Sequence, residues 1–322
     1  MTLPAPSIDA FTPLRLTYSE SKQWMRDRRQ WYLGTYRGLQ KRAIDTPFNP
    51  LDLGTAYHDA LALYYEDSKN DPLAFVTAQY DSLIAETEYV KDAQKAKDLI
   101  TAMVGGYLEW LEETGADADL IIEGSESMVE VKLVPGITLL SKLDAPVTRR
   151  SDGSKLALEH KTTASLDAPL ALLKLDRQFL TEHLARFLML QAQGATADEA
   201  HHLCTGILWN GARKVKRGPT AKPPFYARVD VLHNIVELRN HWKHMVAIGR
   251  EIQYARWLLD AGVSHHIVCP PNPTRDSTWD DPFFKISVML DDGSDAEGAI
   301  EELYEKHDPL ERYQGAVPIG LA

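Results

Sequence analysis

Hydrophobic positions in the first third of the chain recur at helical intervals, and in the middle third they change to the short period of strands. "TYSESKQWMRDRRQWYLGTYRG" opens with the capping types Thr17 and Ser19, keeps its aromatic residues at helical spacing and ends on Gly38, which predicts a first helix. "LDLGTAYHDALALYYEDS" predicts a second. From Pro72 to Glu113, the positions of Phe75, Tyr80, Leu83, Leu99, Met103, Tyr107, Trp110 and Leu111 fit one or two more.

Then "DLIIEGSESMVEVKLV", "ITLLSKLDAPVT" and "KLALEHKTT" are short, aliphatic or β-branched, and parted by turn formers at Pro135-Gly136 and Ser151-Asp152-Gly153. Three consecutive antiparallel strands are expected. A helix from about Lys174 to Gln193 follows, then strands at "HLCTGILWN" and "PFYARVDV" and a long helix from about Leu232 to Asp260. The chain closes on a Pro-rich loop, "CPPNPTRDSTWDDPF", and an acidic helix, "DAEGAIEELYEKH". This order gives an α+β fold with an α/β core. Residues 1–115 form a helical N-terminal region packed on the core, 116–232 the core itself, and 233–322 the long helix with a Pro-rich, acidic C-terminal region, all expected in one compact domain.

Composition supports a soluble globular protein: 322 residues, 44% hydrophobic and 25% charged. No stretch approaches the roughly 20 apolar residues of a membrane span, and "MTLPAPSIDAFTPLRL" lacks the layout of a signal peptide, so a cytoplasmic protein without a membrane partner is expected. Cys204 and Cys269 are too few for a disulfide framework or a four-cysteine metal site. The pairs His201-His202 and His265-His266 lack the partners that zinc would need.

Net charge is −11, which argues against coating nucleic acid through overall charge. The sign is uneven, however. Lys22 to Arg42 holds seven bases against Asp27, Arg213 to Arg228 holds six bases and no acid, and Asp276 to Glu311 holds twelve acids against two lysines. Two basic segments remain as phosphate contacts, with Arg26, Arg28 and Arg29 in one and Arg213, Lys214, Lys216 and Arg217 in the other. The interleaved Trp24, Trp31, Tyr32 and Tyr36 suit core packing more often than base stacking.

Glu159 and Lys161 are one residue apart, so on a strand they share a face while His160 points the other way. Asp144 ends the strand "ITLLSKLD", and a hairpin turning at Ser151 to Gly153 returns it beside them. Two converging carboxylates suit a hard divalent cation. A neighbouring ammonium can then orient the metal-bound water and stabilise charge on a phosphate under attack. Plainer uses stay open: a strand-edge ion pair worth within ~1 kcal/mol, a turn cap for Asp144 before Pro146, and a core position for His58, which shares a helix face with Leu61 and Tyr65.

"SKLDAPV" followed by "LALEHKTT" resembles the PD-(D/E)XK nuclease superfamily. "DLGTAYHDALALYYE" resembles the upstream G-x-x-x-H helix of RecB-type nucleases, with Gly54 and His58 in the matching positions. "LKLDRQFLTEHLARF" resembles the helix after the E-x-K strand, with Gln178 at its glutamine and Glu182 where a tyrosine is usual. "LTYSESKQWMRDRRQWYL" is similar to the opening of CRISPR-associated and AddB-like RecB-family exonucleases, with Asp27 in place of a cysteine. "PNPTRDSTWDDPFFKISVML" is similar to their cysteine-bearing segment, with Ser277, Asp281 and Ser287 in or near the ligand positions, so an iron–sulfur cluster is not expected.

The resemblance spans about residues 14–313. It implies a central mixed β-sheet of restriction-endonuclease-like type flanked by helices. It implies Mg²⁺ or Mn²⁺ held by His58, Asp144, Glu159 and the His160 carbonyl, with Lys161 activating water or stabilising the transition state and Gln178 supporting the site. It further implies an exonuclease rather than an endonuclease, acting on single- or double-stranded DNA ends in recombination, repair or DNA processing. The tail suggests a bacteriophage-type member. A recombination or single-strand-annealing protein is an expected partner, and a homo-oligomer is compatible. The alternatives are a catalytically silent nuclease fold that binds DNA or a recombination partner, and a protein whose acidic tail occupies a host DNA-binding protein.

Overall fold

The computed structural model describes residues 7, 10–42, 50–167, 170–218 and 220–319. Most of the leader before residue 10, and position 219 of the basic loop, lie outside the described residues.

Thr17 ends β1 (Leu14–Thr17) and caps α1 (Tyr18–Arg26) by accepting from the Glu20 N–H. Asp27 ends α1 and caps α2 (Arg28–Trp31), which runs into a π-helical turn over Tyr32–Tyr36. The single first helix expected is therefore broken at Asp27, whose carboxylate competes for the backbone N–H groups that a continuous helix would use. Gly38 follows with φ +59, and a Cβ there would meet the His307 carbonyl oxygen at 2.7 Å.

Next come β2 (Leu39–Lys41), α3 (Pro50–Glu66), α4 (Pro72–Glu86), capped by Asp71, and α5 (Val90–Thr114), closed by left-handed Gly115. The middle of the chain is β3 (Leu120–Ile122), β4 (Ser127–Val134), β5 (Ile137–Leu143), β6 (Ala145–Arg149) and β7 (Lys155–Thr163). Then follow α6 (Leu170–Lys174), α7 (Arg177–Ala192), α8 (Ala197–Leu203), β8 (Gly206–Arg213), β9 (Tyr226–Leu232) and α9 (Ile235–Asp260). The last segment has α10 (His265–Val268), α11 (Ser277–Asp280), α12 (Phe284–Asp292), α13 (Ala296–Leu303), β10 (Tyr304–Lys306) and β11 (Val317–Ile319). No described helix is long and apolar enough to cross a membrane.

A second expectation fails. "ITLLSKLDAPVT" is two strands: the chain breaks at Asp144, β5 joins a sheet ordered β1-β5-β4-β11, and β6 joins another ordered β3-β6-β7-β8-β9. Both halves are apolar and buried, so periodicity cannot see the break. The expected run of three consecutive antiparallel strands is accordingly split between two sheets, and β7 lies antiparallel to β6 but parallel to β8.

The chain forms two compact units, one from the described residues of 1–44, 130–141 and 239–322, the other from those of 45–129 and 142–238. In the first, β1 and β5 pair in parallel from Leu14↔Ile137 to Thr17↔Leu140. Gly249 lets α9 approach this sheet, since a Cβ there would meet Ile137 at 2.9 Å. The β10–β2 ribbon packs with an apolar cluster of Leu33, Leu39, Phe283, Ile286, Ile300 and Tyr304.

In the second unit, the five-stranded sheet is covered on both faces. Leu156 and Leu158 of β7 join the α3, α4 and α5 cluster around Tyr57, Leu61, Ile100 and Met103, whereas Ala157 joins Phe179 of α7, Trp209 and Val231. The strand alternation then assigns Glu159 and Lys161 to the α7 side and His160 to the α3–α5 side. A mixed sheet flanked by helices, the α/β architecture expected from the sequence, is what forms.

Candidate active site

The β6–β7 register pairs Ala145 with Leu158, so Asp144, one residue before β6, comes level with Glu159. The His160 N–H donates to Asp144 Oδ2 at 3.0 Å, and His58 Nδ1, from α3, stands 3.1 Å from the same oxygen. Both contacts fall on Oδ2, and among the described residues no hydrogen bond falls on Oδ1. Glu159 repeats the pattern: Lys161 Nζ at 2.5 Å and Gln178 Nε2 at 2.9 Å both fall on Oε1, which leaves Oε2. Glu159 is only 2% exposed, whereas the Lys161 side chain is 30% exposed.

Charge is tightly balanced here. Burial pulls His58 down, but the Asp144 carboxylate outweighs it and the imidazole titrates above its ordinary value. Burial pushes Asp144 up, yet His58 and then His160 and Lys161 hold it well below the usual carboxylate range. Glu159 goes the other way: burial and the Asp144 charge push it up to about 7, against the pull of Lys161. Burial lowers Lys161, but Glu159 and Glu182 raise it beyond its ordinary value, so it is an ammonium at neutral pH.

Among the described residues, no three His, Cys, Asp or Glu side chains stand ready-made at metal-binding geometry. His58 is turned onto Asp144 and Lys161 onto Glu159 instead. The donor set nevertheless fits a hard divalent cation, because Asp144 and Glu159 each keep one oxygen that receives no hydrogen bond among the described residues. His160 points its ring to the other face of the sheet, so only its backbone carbonyl is a route to a metal.

Behind the site, that ring is held by a buried polar network. Asn210 Nδ2 donates to His160 Nδ1 at 2.8 Å and to Tyr107 Oη at 2.9 Å, while Asn210 Oδ1 accepts from Arg228 Nε at 3.2 Å. These partners fix the His160 proton on Nε2, which is buried without a partner. Burial drops its pKa to about 3, so the ring is neutral. Tyr65 stacks on it at 5.4 Å, and Arg228 is clamped by Asp117 at 2.7 Å.

The structure brings His58, Asp144, Glu159, Lys161 and Gln178 together. Arg29 is corrected outright: it is 1% exposed, with its guanidinium bonded to the Cys269 carbonyl and to Asp291, so it has no face for a phosphate. Arg26 pairs with Asp280, and Arg28 lies over Trp24 at 4.6 Å and reaches Glu251 at 3.2 Å. In the other basic segment, Lys216 pairs with Asp98 at 2.8 Å, Arg217 with Glu109 at 2.5 Å, and Arg213 donates to the Lys222 and Pro224 carbonyls. Lys214 roots the loop beside β7 through its backbone bond to the Thr163 carbonyl.

The residues in cysteine-like positions have ordinary work. Asp27 accepts from the N–H groups of Arg29, Gln30 and Asn272, Ser277 Oγ from that of Thr274, and Asp281 from that of Phe283.

Glu182 was seen in the sequence only as a missing tyrosine, yet it belongs to the site: its Oε1 accepts from Gln178 Nε2 at 2.8 Å. The signal was its spacing, one helical turn after Gln178. Asn210, Tyr107 and Arg228 carried no such signal, because each depends on contacts more than 50 residues away in sequence or on strand pairing.

No curated protein matches the chain. The model of one family does, over residues 15–241, a stretch that takes in every residue gathered around Asp144 and Glu159. With well over half of its length matched, the chain belongs to the PD-(D/E)XK nuclease superfamily.

Proposed function

We propose that the protein is a Mg²⁺- or Mn²⁺-dependent exonuclease that hydrolyses phosphodiester bonds at DNA ends, in bacteriophage-type recombination, repair or DNA processing. The observation that carries the reading is the division of labour at Asp144 and Glu159, where one oxygen of each is held and the other left over, with Lys161 on the same strand face as Glu159. Those oxygens, with His58 and the His160 carbonyl, are the groups that would hold a divalent cation. Such an ion supplies an acidified water and neutralises phosphate charge.

The chain's own groups do the rest. Lys161 stays protonated, so its part is to donate to water and to the charge growing on the phosphate, not to act as a base. Gln178 keeps Glu159 turned to one side, and His58 keeps Asp144 anionic.

End-labelled linear DNA, single- and double-stranded, and closed circles, incubated with Mg²⁺, Mn²⁺ or EDTA, test this. Metal-dependent loss of linear DNA by the wild type, absent from a folded Lys161→Ala variant, is the expected result. Cleavage of circles would make the protein an endonuclease, and binding without cleavage would favour a silent nuclease fold.

A further inference from the structure

Helix α7 brings a third acid to the site, Glu182, and burial and then the neighbouring Glu159 push its pKa well above the ordinary value. Glu182 is 4% exposed, and the Gln178 nitrogen that it accepts from also donates to Glu159 Oε1 at 2.9 Å. A carboxamide has two N–H bonds, so Gln178 spends one on each carboxylate. The second oxygen of Glu182, Oε2, is buried without a partner. Burying an acid so poorly satisfied is unfavourable, and an apolar side chain would pack there at lower cost, so packing alone does not account for an acid at this position.

What Glu182 does to Gln178 accounts for it. The backbone of Gln178 is pinned by the Asp176 cap, which accepts its N–H at 2.8 Å. The terminal amide torsion of its side chain has two nearly equivalent settings. Flipping the amide would aim its carbonyl oxygen at the acceptor oxygens of Glu182 and Glu159 together, and both acceptors oppose it. With Glu182 replaced by an apolar residue, only one opposes it.

We propose that Glu182 is a positioning residue which, through Gln178, fixes the oxygen of Glu159 that the protein holds and hence the one presented to metal and substrate. The proposal rests on the nuclease reading for its catalytic consequence.

The test is a double-substitution cycle with Glu182→Met, Gln178→Met, both together, and Glu182→Gln, which keeps an acceptor oxygen toward Gln178. Cleavage, Mn²⁺ affinity by calorimetry, and urea unfolding in EDTA are measured on each. We expect Glu182→Met to lower kcat about tenfold, the effect of about one hydrogen bond, with KM little changed and Mn²⁺ bound more weakly. Glu182→Gln should recover most of the loss, and the double variant should be no worse than Gln178→Met. Losses that multiply, or a Glu182→Met protein with wild-type cleavage and Mn²⁺ affinity, overturn the proposal. A wild type that neither binds Mn²⁺ nor cleaves sinks the nuclease reading instead. The urea cycle then decides alone: non-additive effects of the two substitutions support their acting as one unit, and additive effects reject it.

Discussion

Asp27 and Asp144 occupy matching places in different parts of the molecule, each at a break between two elements, and they are finished in different ways. Asp27 sits between α1 and α2 and uses both oxygens on the protein, Oδ1 for the N–H groups of Arg29 and Gln30 and Oδ2 for that of Asn272. Asp144 sits between β5 and β6 and concentrates its contacts on Oδ2. A carboxylate with every acceptor used is a structural staple, and one with an oxygen held in reserve is equipped for a ligand.

Substitution should separate the two roles. Asp144→Asn removes the charge of a proposed metal ligand and is expected to cut cleavage by at least about 100-fold, read in single-turnover assays, while the fold persists. Asp27→Ala is expected to lower stability by about 2 kcal/mol in urea unfolding, through loss of a helix cap and a further backbone partner, with cleavage unchanged below the transition. Cleavage that falls in step with Asp27 would erase the distinction.

Acidity sharpens the contrast. Glu159 titrates at about 7, raised first by burial and then by Asp144, so a cation must displace a proton from it near neutrality. Apparent Mn²⁺ affinity should climb as pH rises through about 7 and level off above, which calorimetry at several pH values would show. Because the folded-state pKa lies above the unfolded one, the Glu159 contribution to metal-free stability is present at low pH and lost as pH rises through the folded value. Added Mn²⁺ should offset that loss.

The smallest effect is expected at Gly54. A Cβ there would meet only Thr162 Oγ1, at 3.4 Å, an ordinary contact, so Gly54→Ala should be tolerated and should stabilise α3 by roughly 0.4–1 kcal/mol, measured as a raised unfolding midpoint.

How far the sequence could be read follows from the range of each cause. The face shared by Glu159 and Lys161 needs only strand alternation, and the return of Asp144 needs only a turn at Ser151 to Gly153, so both were legible. The β5–β6 break was not, because it is a change of sheet within an unbroken apolar run. Arg29 stands among exposed-looking bases, and its burial comes from Cys269 and Asp291, more than 200 residues later. Helix α12 lies between the Pro-rich loop and the acidic helix, in a stretch given no element, although Phe283, Ile286 and Leu290 already fall at helical spacing before left-handed Gly293.

The β6–β7 hairpin has a consequence for how such sites can be recognised. It works as a ruler: the pairs from Ala145↔Leu158 to Thr148↔Lys155, and not the fifteen steps of chain from Asp144 to Glu159, set the two carboxylates level. Residues added at the turn tip would leave the two carboxylates level, whereas a slip of one place in the pairing would turn Glu159 and Lys161 to the opposite face. A search keyed to a fixed interval between the two acids would therefore pass over chains whose turn is longer but whose ruler is the same.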